Sequence, residues 1–353
     1  MSNIEKLDKN FAALAVEHEG LRQWNVWEAP FSLHGLMRDE NGGFTRMPQA
    51  VANTVNPTVA DLVSNTAGGR LRFKTNSHRV VLKWRTPFVR DFSHMPRTGS
   101  AYFDLYSDGA HIHTFLPNPP QETEDGLVLE AMMHLLHTNM QEVEIYFPLY
   151  NPVQDLVIAL DENATVLPPD PYTYPLPVVF YGSSITQGGC ASRGGMAYPA
   201  ILERSLNTEI VNLGFSGGCF AESTMAEYLA TLPMSVFVLD YDHNAGSPEM
   251  LEATHEPFFK KIRAARPDLP IVMVSAADEY LPGGWDARRD IIRRTYENAV
   301  ATGDQNVYFV DGHNFYATHG RRDCLVDHTH PNDLGMWCMA KGIEPQLQAV
   351  LEK

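Results

Sequence analysis

Positive charge is in short supply in this chain: 27 lysines and arginines face 43 aspartates and glutamates, a formal net charge of −16 over 353 residues. A phosphate backbone or an anionic lipid surface is held by basic patches, so nucleic-acid and membrane partners are disfavoured. Long apolar runs are also missing. No stretch approaches the roughly eighteen consecutive apolar residues of a membrane span, and the opening, Met1 to Asn10, is polar and lacks the apolar segment of an export signal. Cysteine is scarce as well: Cys190, Cys219, Cys324 and Cys338 all fall in the second half without the close pairing of a zinc site. Reduced thiols and a cytoplasmic location are expected, rather than a secreted disulfide framework. No internal repeat or low-complexity tract stands out. What is present, 44% hydrophobic and 20% charged residues, is the composition of a globular protein long enough for two cores.

The two halves differ in pattern on either side of a proline-rich stretch, Leu167 to Pro177, which is read as a linker because proline supplies no N–H to a helix interior or a central strand. Before it, short β-prone runs recur at Arg70–Lys74, Arg79–Arg85, Ala101–Tyr106, His111–Phe115, Glu142–Phe147 and Leu156–Leu160, the pattern of an antiparallel β-sandwich over residues 1–166. After it, strand-like runs at Val178–Tyr181, Glu209–Phe215, Val236–Tyr241, Ile271–Ala276 and Val307–Asp311 alternate with helix-like stretches at Ala197–Leu206, Ala221–Leu232, Glu249–Arg266, Asp286–Ala301 and Asn332–Leu351. That alternation predicts an α/β domain with a parallel sheet over residues 178–353, whose ligand sits beyond the carboxyl ends of the strands.

Four motifs fall at those strand ends. Ser184 follows the run Val178–Tyr181 in Gly182-Ser183-Ser184-Ile185-Thr186, and a serine hydroxyl becomes nucleophilic only beside a base that a third group orients. Asp327 and His330, in Asp327-His328-Thr329-His330-Pro331, supply that base and its partner. Gly217, in Asn212-Leu213-Gly214-Phe215-Ser216-Gly217-Gly218, allows a backbone N–H close to a reacting carbonyl, and Asn244 offers a side-chain amide to the same oxyanion. Each residue also has a plainer reading: helix cap for Ser184, tight turn for Gly217, turn former for Asn244. The nucleophile elbow Gly-x-Ser-x-Gly is absent, because Thr186 stands at its last position, which disfavours an α/β-hydrolase. A metal could instead use His328, His330, Asp327 and Asp333, but the serine would then lack a partner. His134 and His137, at helical spacing in an apolar run, and His111 and His113 read as packing or surface histidines.

These blocks, in this order across roughly residues 178–335, resemble the SGNH, or GDSL-type, serine hydrolase superfamily. The resemblance implies a flavodoxin-like three-layer fold, Ser184 as nucleophile, Asp327 and His330 as its partners, and Ser184, Gly217 and Asn244 as the oxyanion hole. Ser183 stands where the family usually has aspartate, and Asp242-His243-Asn244-Ala245 replaces the usual Gly-x-Asn-Asp. In the first half, Gly69 to Ser77, Phe103-Asp104-Leu105-Tyr106 and Phe147-Pro148-Leu149-Tyr150-Asn151 resemble the amino-terminal, jelly-roll-like sandwich of a bacterial branch of these esterases. Tyr150 and Asn151 are therefore candidate substrate contacts. The implied activity is hydrolysis of short acyl esters, acetyl first, on a carbohydrate, with no metal or cofactor. An acyltransferase using the same triad is the runner-up, and a carbohydrate-binding protein with an inactive hydrolase domain ranks below it. Sequence leaves a homo-oligomer open.

Overall fold

The structure, a computed structural model, describes residues 7–8, 12–277, 285–317 and 321–353, so most of the polar opening segment lies outside it. Two larger antiparallel sheets form the sandwich of the first half, beside a two-stranded pairing of Met37–Arg38 with Phe44–Thr45. One runs in the order Leu21–Asn25, Gln154–Asp161, Arg79–Thr86, Gly126–His134, Gln121–Thr123, and the other Val166–Leu167, Arg70–Thr75, Gln141–Tyr146, Asp104–Ser107, Ala110–Thr114. Alternate residues face the shared core: Val80, Leu82 and Trp84 from the first sheet meet Leu71, Phe73, Val143 and Ile145 from the second. The sequence alone did not reveal the strand Gly126–His134, where His134 and His137 suggested helical spacing. That strand is apolar on both faces, because Leu129, Ala131 and Met133 enter the core while Met132 packs outward with Val81 and Ala159, so the expected alternation is hidden.

The second half is a parallel five-stranded sheet. Its strands are β1 (Tyr174–Gly182), β2 (Thr208–Gly214), β3 (Val236–Asp240), β4 (Ile271–Val274) and β5 (Val307–Val310), in the order β2-β1-β3-β4-β5. This is the flavodoxin-like arrangement, in which chain direction across the sheet switches beside β1. Both faces of the sheet are covered, so the strands read as continuous apolar runs. Val178 and Phe180 pack with helices Tyr198–Leu206 and Asp333–Leu351, whereas Val179 and Tyr181 face Ser223–Thr231, Pro248–Ala265 and Trp285–Ala301. No helix among the described residues is long and apolar enough to cross a membrane.

The linker stretch is shorter than its prolines suggest, because β1 already begins at Tyr174 and includes Pro175 and Pro177. The prolines are tolerated because pairing with β3 begins only at Val178, and the pairing with β2 is irregular between Tyr174 and Val178. Helices Gln49–Val55 and Pro57–Leu62 are likewise additions to the expected all-strand first half.

The sandwich is not a separate bead. Ala67, Tyr106, Tyr146, Leu149 and Tyr150 share one buried cluster with Val178, Phe180, Ile185 and Tyr198. Across that seam Tyr172 donates to Glu203 Oε1 at 2.6 Å, Arg70 Nε lies 3.6 Å from the same oxygen, and Tyr146 reaches Glu203 Oε2. Burial pushes the neighbouring Glu144 carboxyl well above its ordinary range, an effect reinforced by Glu203.

Candidate active site

Register brings the motifs together. Gly182 at the end of β1 pairs with Gly214 of β2 on one side and Asp240 of β3 on the other, so the three following loops leave the same sheet edge side by side. The turn at Gly182 has no room for a side chain: a Cβ there would stand 2.0 Å from Thr186 Oγ1 and 2.3 Å from the Asp240 carbonyl. Ser184 opens the short helix Ser184–Gln187, capped by the Ser183 hydroxyl, which accepts from Ile185 N at 3.2 Å. That bond gives the adjacent serine a capping role and leaves Ser184 to face the histidine.

Ser184 Oγ lies 2.9 Å from His330 Nε2, and His330 Nδ1 lies 2.8 Å from Asp327 Oδ2. The other carboxylate oxygen of Asp327 accepts from the backbone N–H groups of Thr329 at 2.7 Å and His330 at 2.6 Å. Partial burial works to raise the Asp327 pKa, but the backbone and ring bonds of His330 outweigh it and hold the carboxyl at about 2. The turn is closed by Val326 N donating to the His330 carbonyl and by a bridge between Leu325 and Pro331.

Gly217 takes a left-handed φ of 66°, with no atom within 4 Å of where a Cβ would stand. Asn244 closes a turn of 3₁₀ helix, Asp242–Asn244, just past β3, and its Oδ1 is buried without a hydrogen-bond partner. Below it, Asp240 Oδ2 accepts from Tyr198 at 2.7 Å and Thr186 at 3.1 Å. Burial, with help from Asp242, pushes Asp240 up to about 6. Asp242 rises to about 6 for the same first reason while accepting from Ala276 N at 2.8 Å.

Much of the bracing comes from the sandwich. Tyr150 is buried and donates to the Ser184 carbonyl at 3.3 Å. Asn151 is 1% exposed, donating to Ser100 O at 2.8 Å and accepting from Arg90 N at 2.7 Å, so it anchors the 90–100 segment and is closed off from a substrate by burial. Gln187 clasps both halves, donating to Leu149 O at 3.0 Å and accepting from Ser216 N at 2.9 Å. Asp104, fully buried, accepts from Gly195 N at 3.1 Å and faces Arg193 at 3.4 Å, while Thr98 holds Ser192 O at 2.6 Å. Arg46, which the sequence did not single out, is buried against the Phe215 ring and donates to the carbonyls of Gly214 and Leu62, fixing the end of β2. Nothing in its sequence neighbourhood distinguishes it from a surface arginine.

His328 and Asp333 do not join Asp327 and His330 as a ligand set. The Asp333 carboxylate instead accepts from Ser192 N at 2.8 Å. A groove of about 870 Å³ between Pro248–Ala265 and Trp285–Ala301 includes Asp304 and Asn306, which precede β5, so it lies at the opposite sheet edge from Ser184.

Residues 176–348 match the model of the GDSL-like lipase/acylhydrolase family, and residues 21–166 match the model of the amino-terminal region of SGNH-hydrolase-type esterases. A Bacteroides ovatus protein described as GDSL-like lipase superposes with a TM-score of 0.82 at 29% identity, covering 94% of this chain and 98% of its own. A salicylyl-acyltransferase from a tetracycline biosynthetic pathway gives 0.77 at 21% identity over 95% and 98%. A family two carbohydrate esterase from Cellvibrio japonicus gives 0.60 at 13% over 94% and 98%. No curated protein matches the chain.

Proposed function

Because residues 176–348 belong to the GDSL-like lipase/acylhydrolase family and residues 21–166 to the amino-terminal region of SGNH-type esterases, we propose that the protein is a serine esterase that removes short acyl groups, acetyl first, from a carbohydrate. The observation that carries this reading is the relay from Ser184 Oγ to His330 Nε2 at 2.9 Å and from His330 Nδ1 to Asp327 at 2.8 Å. In the proposed reaction His330 takes the Ser184 proton as the hydroxyl attacks the ester carbonyl. Asp327, already ionised, keeps Nδ1 protonated and steadies the imidazolium. The Ser184 N–H, at the first position of its helix and so without an intrahelical acceptor, joins the Gly217 N–H and the Asn244 amide around the oxyanion. His330 then protonates the leaving alcohol, and water attacks the acyl-enzyme by the same route in reverse. No step needs a metal or cofactor. The carbohydrate assignment is supported by the likeness to carbohydrate esterases, and the cytoplasmic location by four buried, unpaired cysteines.

A second reading, transfer of the acyl group to an alcohol acceptor, is favoured by the longer and closer superposition on the salicylyl-acyltransferase. The chemistry is common to both until water or acceptor attacks the acyl-enzyme. Labelling with a fluorophosphonate followed by peptide mapping tests the shared step: adduct on Ser184 supports it, and adduct on Ser183 or on no serine overturns it.

A further inference from the structure

Beside the relay stand two side chains that ester hydrolysis does not use, His94 and Cys190. One ligand atom each from His94, Cys190, Asp327 and His330 lies within 4.8 Å of every other. His94 comes from the sandwich, on a loop held by the Asn151 bond to Arg90 and an Arg90–Asp61 ion pair of 2.9 Å. Its ring centroid is 6.0 Å from that of His330, with Phe92 against its edge at 6.3 Å. Cys190 comes from the hydrolase half, buried, with a left-handed φ of 69°, in the loop that Thr98 and Asp104 clamp. The two histidines, the thiol and the carboxylate thus come from both halves of the chain and meet at one point.

We propose that His94, Cys190, Asp327 and His330 form an inhibitory binding site for zinc or a comparably soft divalent cation. The donor set of one sulfur, two imidazoles and one carboxylate is the tetrahedral preference of zinc, whereas calcium and magnesium take oxygen ligands. Tetrahedral bonds of about 2.0–2.3 Å require ligand atoms about 3.3–3.8 Å apart, so closing the site needs movements of about 1 Å or less. His94 is exposed and can turn its ring to make its share of them, whereas Asp327 stays on the bonds that hold it and offers its oxygen from there. The surplus of acidic groups favours the approach of a cation. A cation on a His330 ring nitrogen occupies the lone pair that would receive the Ser184 proton, or displaces Asp327 from the ring, and either stops turnover without touching the serine. The inhibition, though not the binding, rests on the esterase reading above.

The test uses the full chain, freed of metal by a chelator, with zinc for inhibition and cobalt(II) as a spectroscopic probe. Cobalt is expected to bind one per chain with a thiolate-to-metal charge-transfer band, and zinc to lower ester hydrolysis at least a hundredfold, reversed by chelator. Cys190→Ser should abolish the band, and both it and His94→Gln should raise the zinc concentration for half-inhibition about tenfold or more while keeping the metal-free rate. Ser184→Ala should take up cobalt normally while losing hydrolysis. Uptake without hydrolysis in the wild type would therefore refute the esterase reading and leave the site intact. Active enzyme with no charge-transfer band, or zinc inhibition unchanged in both variants, would overturn the site.

Discussion

Asn244 stands in a block, Asp242-His243-Asn244-Ala245, whose residues depart from the family's usual Gly-x-Asn-Asp, and an asparagine in a loop is ordinarily a turn former. The structure places it in the turn of 3₁₀ helix immediately past β3, the strand next to β1, at the edge from which Ser184 emerges. An Asn244→Ala variant should keep its fold and lose about 10²–10³-fold in kcat, the usual cost of one oxyanion donor, with KM little changed. Unchanged kcat would remove it from the site. That Ser184, Asp327 and His330 come together could be expected from the sequence, because chemistry restricts which residue types can activate a hydroxyl, and two of them are three residues apart. Tyr150 and Asn151 were legible only as a motif. Their burial and bonds make them supports of the Ser184 carbonyl and the 90–100 segment, which adjacency to a domain seam in sequence could not reveal. Arg46 and His94 were invisible because their importance lies in contacts across more than a hundred residues of chain.

Among elements, the turn from β1 into the Ser184 helix is fixed by what cannot fit. Gly182→Ala would drive a methyl group into Thr186 and the Asp240 carbonyl, so the variant should either fail to accumulate as folded protein or melt well below wild type, as read by circular dichroism. Wild-type melting would show that the turn is less confined than this geometry requires. The buried acids at the end of β3 make a prediction of opposite sign. The folded pKa of Asp240, about 6, exceeds its unfolded value of 3.8, so its contribution is fully present below 3.8 and is lost as pH rises through 6. Asp240→Asn should therefore be more stable than wild type at pH 7, on the order of 2–3 kcal/mol, with the advantage vanishing near pH 4. Denaturant titrations at the two pH values check this, and a variant less stable at both would contradict it. Asp327 behaves in the reverse sense: held at about 2 against 3.8, its contribution is present above 3.8 and lost as pH falls through 2. The strands and helices of the second half were legible almost throughout, since each strand is a short apolar run between amphipathic segments. Gly126–His134 and the proline entry of β1 were not, because one strand is apolar on both faces and the other carries its prolines where only one irregular ladder exists.

For the whole molecule, the question is whether the sandwich is an appendage or part of the enzyme's core. Tyr106, Tyr146, Leu149 and Tyr150 bury themselves against the hydrolase half, and Gln187, Ser192 and Gly195 are all held by sandwich residues. Residues 172–353 expressed alone would expose that apolar seam and free the loop from Gln187 to Met196. The fragment is predicted to aggregate or to bind a hydrophobic dye without a cooperative unfolding transition, while the full chain unfolds in one transition. A soluble, cooperatively folding fragment with full activity would contradict the bracing role. The seam was not legible in the sequence, because its members belong to strands whose alternation is already accounted for by the sandwich core. Initial rates on chromogenic esters from acetyl upward, with wild type and Ser184→Ala side by side, decide whether Ser184 attacks a short acyl ester. Turnover should be greatest on acetyl and fall with chain length, with a loss of roughly 10⁴-fold or more in the variant; near-normal rates in Ser184→Ala would mean that Ser184 is not the nucleophile.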